Sequence, residues 1–195
     1  MVSRIVVLLS IASVGAVSGC ASQRSHFFTL ASMATAGAAP PLHVSIIVGP
    51  VTVPASVDRP EFVVQVTQTQ LDIDEFNRWA APLSDTVSRT VADDLAVLLG
   101  TPDVAMAPLA NFRPDYRVTI TVQRFDSLPG RLAVVEAVWV VVPSSGGGER
   151  VGRTVARETV SGDGYDALAA AHSRAIAAVS ADIAAAIRES AGRKS

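Results

Sequence analysis

Cys20 is the only cysteine in the chain. It follows Val17-Ser18-Gly19 at the end of an apolar run, Ile5 to Val17, which one basic residue, Arg4, precedes. Small residues before the cysteine, a basic leader and an apolar stretch too short to span a bilayer describe an export signal that is cut before Cys20. The thiol then takes a diacylglyceryl group and the freed amine is acylated, palmitate being one such chain. A lone thiol cannot make an internal disulfide, a Cys-rich metal site or a CxxC redox pair. The expectation is a lipoprotein signal peptide over residues 1–19 and a mature chain held to a membrane through lipid on Cys20. Each buried methylene contributes about 0.8 kcal/mol, so more than one acyl chain gives stable anchoring.

Other reactive groupings are sparse. Of the 3 histidines, His26 lies in a small-residue stretch, His43 starts a strand and His172 sits alone on an apolar helix stripe. A metal site needs several His, Cys or carboxylate ligands, and a lone histidine of this kind is a packed residue. No GxSxG elbow, HExxH pair or Walker lysine occurs, and no two carboxylates share an apolar setting. Ser144-Ser145-Gly146-Gly147-Gly148 lies between strands, whereas a phosphate loop needs its glycines between a strand and a helix. The reading expects no catalytic residue, no cofactor and no metal, and a hydrolase would require a buried polar triad. A net charge of -2 argues against a nucleic-acid surface.

The elements that would carry these residues read as follows. Residues 20–41 form a lipidated N-terminus and spacer, because Ala31 to Pro41 has little to bury, with Phe27-Phe28-Thr29-Leu30 as an apolar interruption suited to a short edge strand. His43 to Val53 and Phe62 to Thr67 are β-branched and flank a turn-rich Pro54 to Pro60, which suggests a long-looped hairpin. Pro82 opens a helix with Leu83, Val87, Val91, Leu95 and Leu98 on one face, ending at Gly100. Asp85, Arg89, Asp93 and Asp94 then read as its solvated face. Val104 to Ala107 is a short strand, and Tyr116 to Gln123 alternates as a half-buried one. Leu132 to Val142 is apolar at nearly every position, the pattern of a strand covered on both faces. Val151 to Val160 completes a meander. A final helix starts at Asp163, with a stripe of Tyr165, Leu168, His172, Ile176, Val179, Ile183 and Ile187 and a charged end, Arg188 to Lys194, that frays into solvent. The fold class is α/β: a mixed, largely antiparallel β-sheet with two main helices packed on it, one compact domain over residues 42–191.

Certain stretches are similar to a known family. Gly49-Pro50-Val51-Thr52-Val53-Pro54, Val57-Asp58-Arg59-Pro60-Glu61-Phe62-Val63 and Arg78-Trp79-Ala80-Ala81-Pro82-Leu83 resemble the auxiliary lipoproteins of ABC-type and MCE-type transport systems, in particular the paraquat-inducible protein C family. Asp115-Tyr116-Arg117-Val118, Arg124-Phe125-Asp126, Trp139 and Tyr165-Asp166-Ala167-Leu168 agree in order and spacing. Ala55-Ser56-Val57 departs from the family, which carries a bulky residue before Asp58-Arg59-Pro60.

The resemblance implies a non-catalytic subunit at the periplasmic face of the outer membrane. It implies an MCE-type partner for intermembrane lipid transport, a role in membrane integrity and, among some members, a homo-oligomeric ring. Ala21-Ser22 after Cys20, in place of an aspartate, agrees with the outer membrane. Arg59, Pro60, Arg78 and Trp79 are the candidate partner-binding residues, since a stiff loop and a helix entry present rigid surface. The bland alternatives are that Trp79 caps the core and Arg59 pairs with a carboxylate. A structural or regulatory outer-membrane lipoprotein that activates a cell-wall enzyme would share the anchor and the domain.

Overall fold

The computed structural model describes residues 23–146 and 148–193; Cys20, the signal peptide and Lys194 lie outside them. The elements are β1 (His26–Phe28), β2 (Ile46–Thr52), β3 (Glu61–Gln65), β4 (Leu71–Trp79), α1 (Leu83–Leu99), β5 (Val104–Met106), β6 (Tyr116–Leu128), β7 (Leu132–Pro143), β8 (Arg150–Thr159) and α2 (Gly164–Gly192). They form a 5-stranded sheet in the order β5-β2-β6-β7-β8 and a 3-stranded sheet in the order β1-β4-β3. The α/β class with two helices on mixed sheets stands as expected. Antiparallel pairing joins β6, β7 and β8, while β2 runs parallel to both β5 and β6. Among the described residues no helix is long and apolar enough to cross a membrane.

The expected hairpin of the first two strands does not form. β2 enters the larger sheet and β3 pairs instead with β4, with Val63 opposite Ile73 and Gln65 opposite Leu71. Parallel strands need a long crossover, and α1 supplies it between β2 and β5. The β3–β4 hairpin is therefore an insertion within a βαβ path. Its local partner wins because a short loop closes at low entropic cost.

Burial along α1 follows its spacing: Leu83, Val87, Val91 and Leu95 have no exposed surface. Gly100 ends the helix in the left-handed region at φ 66°, its N–H bonded to the Ala96 carbonyl. Asp163 occupies the N-cap position of α2 without a side-chain cap bond. From there Leu168, His172, Ile176, Val179, Ile183 and Ile187 lie in the core. Alanines between them let the helix approach the sheet. Within the sheet, Gly152 of β8 leaves room for the ring of its cross-strand neighbour Trp139 on β7, since a Cβ there would sit 2.1 Å from that ring.

Three expectations about solvated segments are corrected. Asp94 was expected on the wet face of α1, but it is fully buried and accepts hydrogen bonds from Ser32 Oγ (2.6 Å), the N–H groups of Met33 and Ala34 (3.2 Å each) and Ser180 Oγ (2.9 Å). Much of the expected spacer is consequently part of the fold. β1 pairs with β4, Leu30 is buried, and the Ala31 N–H bonds Ser173 Oγ. Arg188 does not fray either, since its guanidinium donates to the carbonyls of Pro40 and Leu98 at 2.8 and 2.9 Å. Segments that look unable to bury apolar area are held here by polar ties to distant elements.

Candidate functional site

The turn before β3 and the link between β4 and α1 lie against each other. The Trp79 N–H donates to the Pro60 carbonyl at 2.7 Å, and Glu61 stands opposite Arg78 in the β3–β4 register. Between them opens a cleft of about 370 Å³, with Asp58-Arg59-Pro60 on one wall and Trp79-Ala80-Ala81-Pro82 on the other. A neighbouring hollow of about 410 Å³ is lined by Gln23, Ser25, Glu61, Ile73, Glu75, Phe76, Arg78 and again Arg59. Arg59 is the wall the two share. The fold thus brings together all four residues singled out as partner-binding candidates.

Glu61 is the group the sequence reading did not single out. Its carboxylate accepts from Arg59 Nε at 3.0 Å and pairs with an Arg78 nitrogen at 3.1 Å. The Arg59 hydrogen bond first, then the backbone and the charge of Arg78, hold the Glu61 carboxyl below the ordinary carboxylate range. Arg59 and Arg78 share the Glu61 carboxylate, while Asp58 on the cleft wall and Glu75 in the adjoining hollow add further acidic groups to the patch. The Arg59 side chain is 40% exposed and that of Arg78 34%, so donors remain free to meet an anionic or carbonyl-bearing partner. The signal for Glu61 was available in principle, because it lies two residues beyond Arg59.

Trp79 plays a different part. It is only 5% exposed, stacks on Phe62 at 4.4 Å and meets Phe125 edge-on at 6.0 Å. Phe62 in turn packs edge-on against Phe28 and Tyr165. This aromatic cluster joins the smaller sheet to α2 and fixes the back wall of the cleft, to which Trp79 offers little of its surface. Burial, and a hydrogen bond to the Asp74 carboxylate, push the Tyr165 hydroxyl well above its ordinary value. Burial also raises Asp74, but hydrogen bonds from Asn77, the Phe76 N–H and Tyr165 outweigh it and leave that carboxyl lowered.

The other group with chemical interest is His172. It has no exposed surface, its Nε2 lies 2.7 Å from Ser127 Oγ, and its ring stacks on Phe125 at 3.8 Å. A serine–histidine nucleophile needs a third group to orient the imidazole through Nδ1. Here Nδ1 has no partner, Ser127 is 2% exposed, and the cavity beside it holds only about 90 Å³. Burial lowers the His172 pKa to about 3, which suits a neutral packed side chain and not a general base working near neutrality. As expected, His172 is a packed residue. Among the described residues no group of three or more His, Cys, Asp or Glu could hold a metal ion.

The described residues thus form a small α/β domain with an arginine-lined cleft and a clamped N-terminal segment. The chain belongs to the ABC-type transport auxiliary lipoprotein component family, whose model matches residues 28–184, the paraquat-inducible protein C-like group. No curated protein matches it. Among solved structures, a crystal structure of an uncharacterized protein is similar at 23% identity and a TM-score of 0.70, over 85% of this chain and 99% of that one. A Xanthomonas campestris protein of the DUF330 family model is similar at 20% identity and a TM-score of 0.65, over 87% and 98%. At these identities the likeness speaks for the fold alone.

Proposed function

We propose that this chain is a non-catalytic, lipid-anchored subunit of an MCE/ABC-type intermembrane lipid transport system. It docks the envelope-spanning MCE-type protein at the periplasmic face of the outer membrane and so supports membrane integrity. The family match over residues 28–184 is the observation that carries this reading. In this reading residues 1–19 are removed and Cys20 bears the lipid. Five residues then separate Cys20 from β1 at His26, an extended reach of about 20 Å. The domain therefore rides close to the bilayer. Arg59, Pro60, Arg78 and Trp79 border the surface that meets the partner, Arg59 by direct contact and Trp79 by shaping the wall, and copies of the chain gather into a ring around the partner's end.

The test is gentle detergent extraction of the tagged lipoprotein from its own envelope, followed by mass spectrometry of the co-purifying proteins and of the N-terminal peptide. An MCE-type protein in the eluate and an acylated Cys20 are expected. Arg59→Ala should lower recovery of that partner while the protein stays folded. Peptidoglycan synthases in place of an MCE-type protein would overturn the transport reading, and Cys20→Ser protein that is still processed and membrane-bound would overturn the anchor.

A further inference from the structure

β7 is apolar on both faces, yet the helices cover only one. Trp139 faces α2: its Nε1 donates to Thr154 Oγ1 at 3.0 Å, and that hydroxyl donates to Asp182 of α2 at 2.6 Å. Strand side chains alternate, so Val138, Val140 and Val142 point the other way. β8 adds Val151 opposite Val140 and Val155 opposite Glu136 on that same side. Val142 and Val155 are each 39% exposed and Val151 62%. Scattered exposed valines are ordinary, but Val142 of β7 and Val151 and Val155 of β8 surround the half-buried Val138 and Val140, and an apolar group of this kind beside a strand patterned for two-sided burial marks a surface that something covers.

Charge narrows the occupant. Arg117 stands opposite Val142, Arg153 opposite Val138 and Arg157 opposite Val134. Of the carboxylates on that face, Glu136 is already taken by Arg153 at 2.6 Å, and Asp126, opposite Val134, by Arg124, which stands opposite Glu136; Arg117 and Arg157 remain in excess. The face is therefore locally basic although the chain carries a net charge of -2. A second copy docking through the same face would set arginine against arginine, which disfavours a two-fold pair. A bilayer surface would call for interfacial tryptophan or tyrosine, and the patch is built of short β-branched side chains. Such a surface is flat and suits the side-chain layer of another protein.

We propose that the exposed valine–arginine face of β6, β7 and β8 docks a segment of a partner protein that carries aliphatic residues flanked by carboxylates. This surface is distinct from the Arg59 cleft, and the proposal does not require the partner to be of the MCE type.

The experiment places a photo-reactive phenylalanine analogue at position 142 or 151 of the full lipoprotein in its own envelope, with position 97 on α1 as the control, and sequences the cross-linked peptides. Adducts at 142 and 151 with one protein are expected, at a segment mixing aliphatic residues with Asp or Glu. Combined Arg117→Glu and Arg157→Glu should cut the yield about tenfold. Lysines at the same two positions should retain it, which separates lost charge from lost folding. Adducts to lipid or to another copy of this chain, equal yield at position 97, or no adduct would overturn the proposal. If the captured segment has the stated chemistry but belongs to another class of protein, the face still stands, and the transport reading rests on the co-purification test at the Arg59 cleft.

Discussion

Asp94 and His172 are both completely buried, one on each helix, and the fold treats them in opposite ways. Asp94 collects donors from Ser32, Met33, Ala34 and Ser180, two of them backbone N–H groups of the N-terminal segment. His172 has a single partner, Ser127, and an Nδ1 with none. The contrast follows from what each group costs to bury. A carboxylate taken out of water must be met by several donors, whereas a neutral imidazole can lie against a phenyl ring with one hydrogen bond. Asp94 is consequently a structural tie between distant segments, and His172 is mostly packing.

The largest expected effect that probes this contrast is Asp94→Ala. It orphans buried donors and releases Leu30 to Ala34, and should lower unfolding free energy by about 4 kcal/mol in urea titration. Hydrogen exchange should show protection lost first in residues 30–34.

Acid should expose His172 next. Its folded pKa is about 3, against 6.5 for the free side chain. Above pH 6.5 both states are neutral and the full stability is present. Below it the unfolded state binds a proton that the folded state refuses, so stability falls as pH drops toward 3 at up to about 1.4 kcal/mol per unit. At pH 5 this contribution amounts to about 2 kcal/mol, and the same titration repeated across pH checks it.

A smaller change is expected from the double variant Ser127→Ala with His172→Leu. Replacing both partners by apolar groups should alter stability at neutral pH by only about 1 kcal/mol and flatten the loss between pH 6.5 and 3. A double variant as damaging as Asp94→Ala would break the distinction between the two sites.

The smallest stability effect belongs to the cleft. Arg59→Ala removes a solvent-exposed ion pair with Glu61 and should leave the urea unfolding midpoint nearly unchanged, the smallest shift of the series. Partner recovery, measured as co-purifying protein, should fall in the same variant.

Legibility in the sequence differed sharply between regions. β6, β7 and the stripe of α2 could be read from alternation and helical spacing, because their burial repeats with the period of the element itself. β4 could not. Asp72, Asp74, Glu75, Asn77 and Arg78 hide its strand character, and Asp74 breaks the alternation by accepting from the Phe76 and Asn77 N–H groups at 2.9 and 3.0 Å. Without β4 the partner of β3 was misplaced, and the register that sets Glu61 beside Arg78 was invisible. Arg59 and Trp79 were legible as candidates, but not that one would be accessible and the other sealed into an aromatic cluster.

Sequence alone determined the two helices, the meander and the family, since each is written in the order and spacing of residues along the chain. Tertiary structure alone decided that the N-terminal stretch is clamped, that Asp94 is buried, that Arg59 and Arg78 share one carboxylate, and that Val142, Val151 and Val155 stay exposed on the outer face of the sheet. Those outcomes depend on groups tens of residues apart. Whether a polar side chain meets a donor or meets water is settled only when the chain has closed around it.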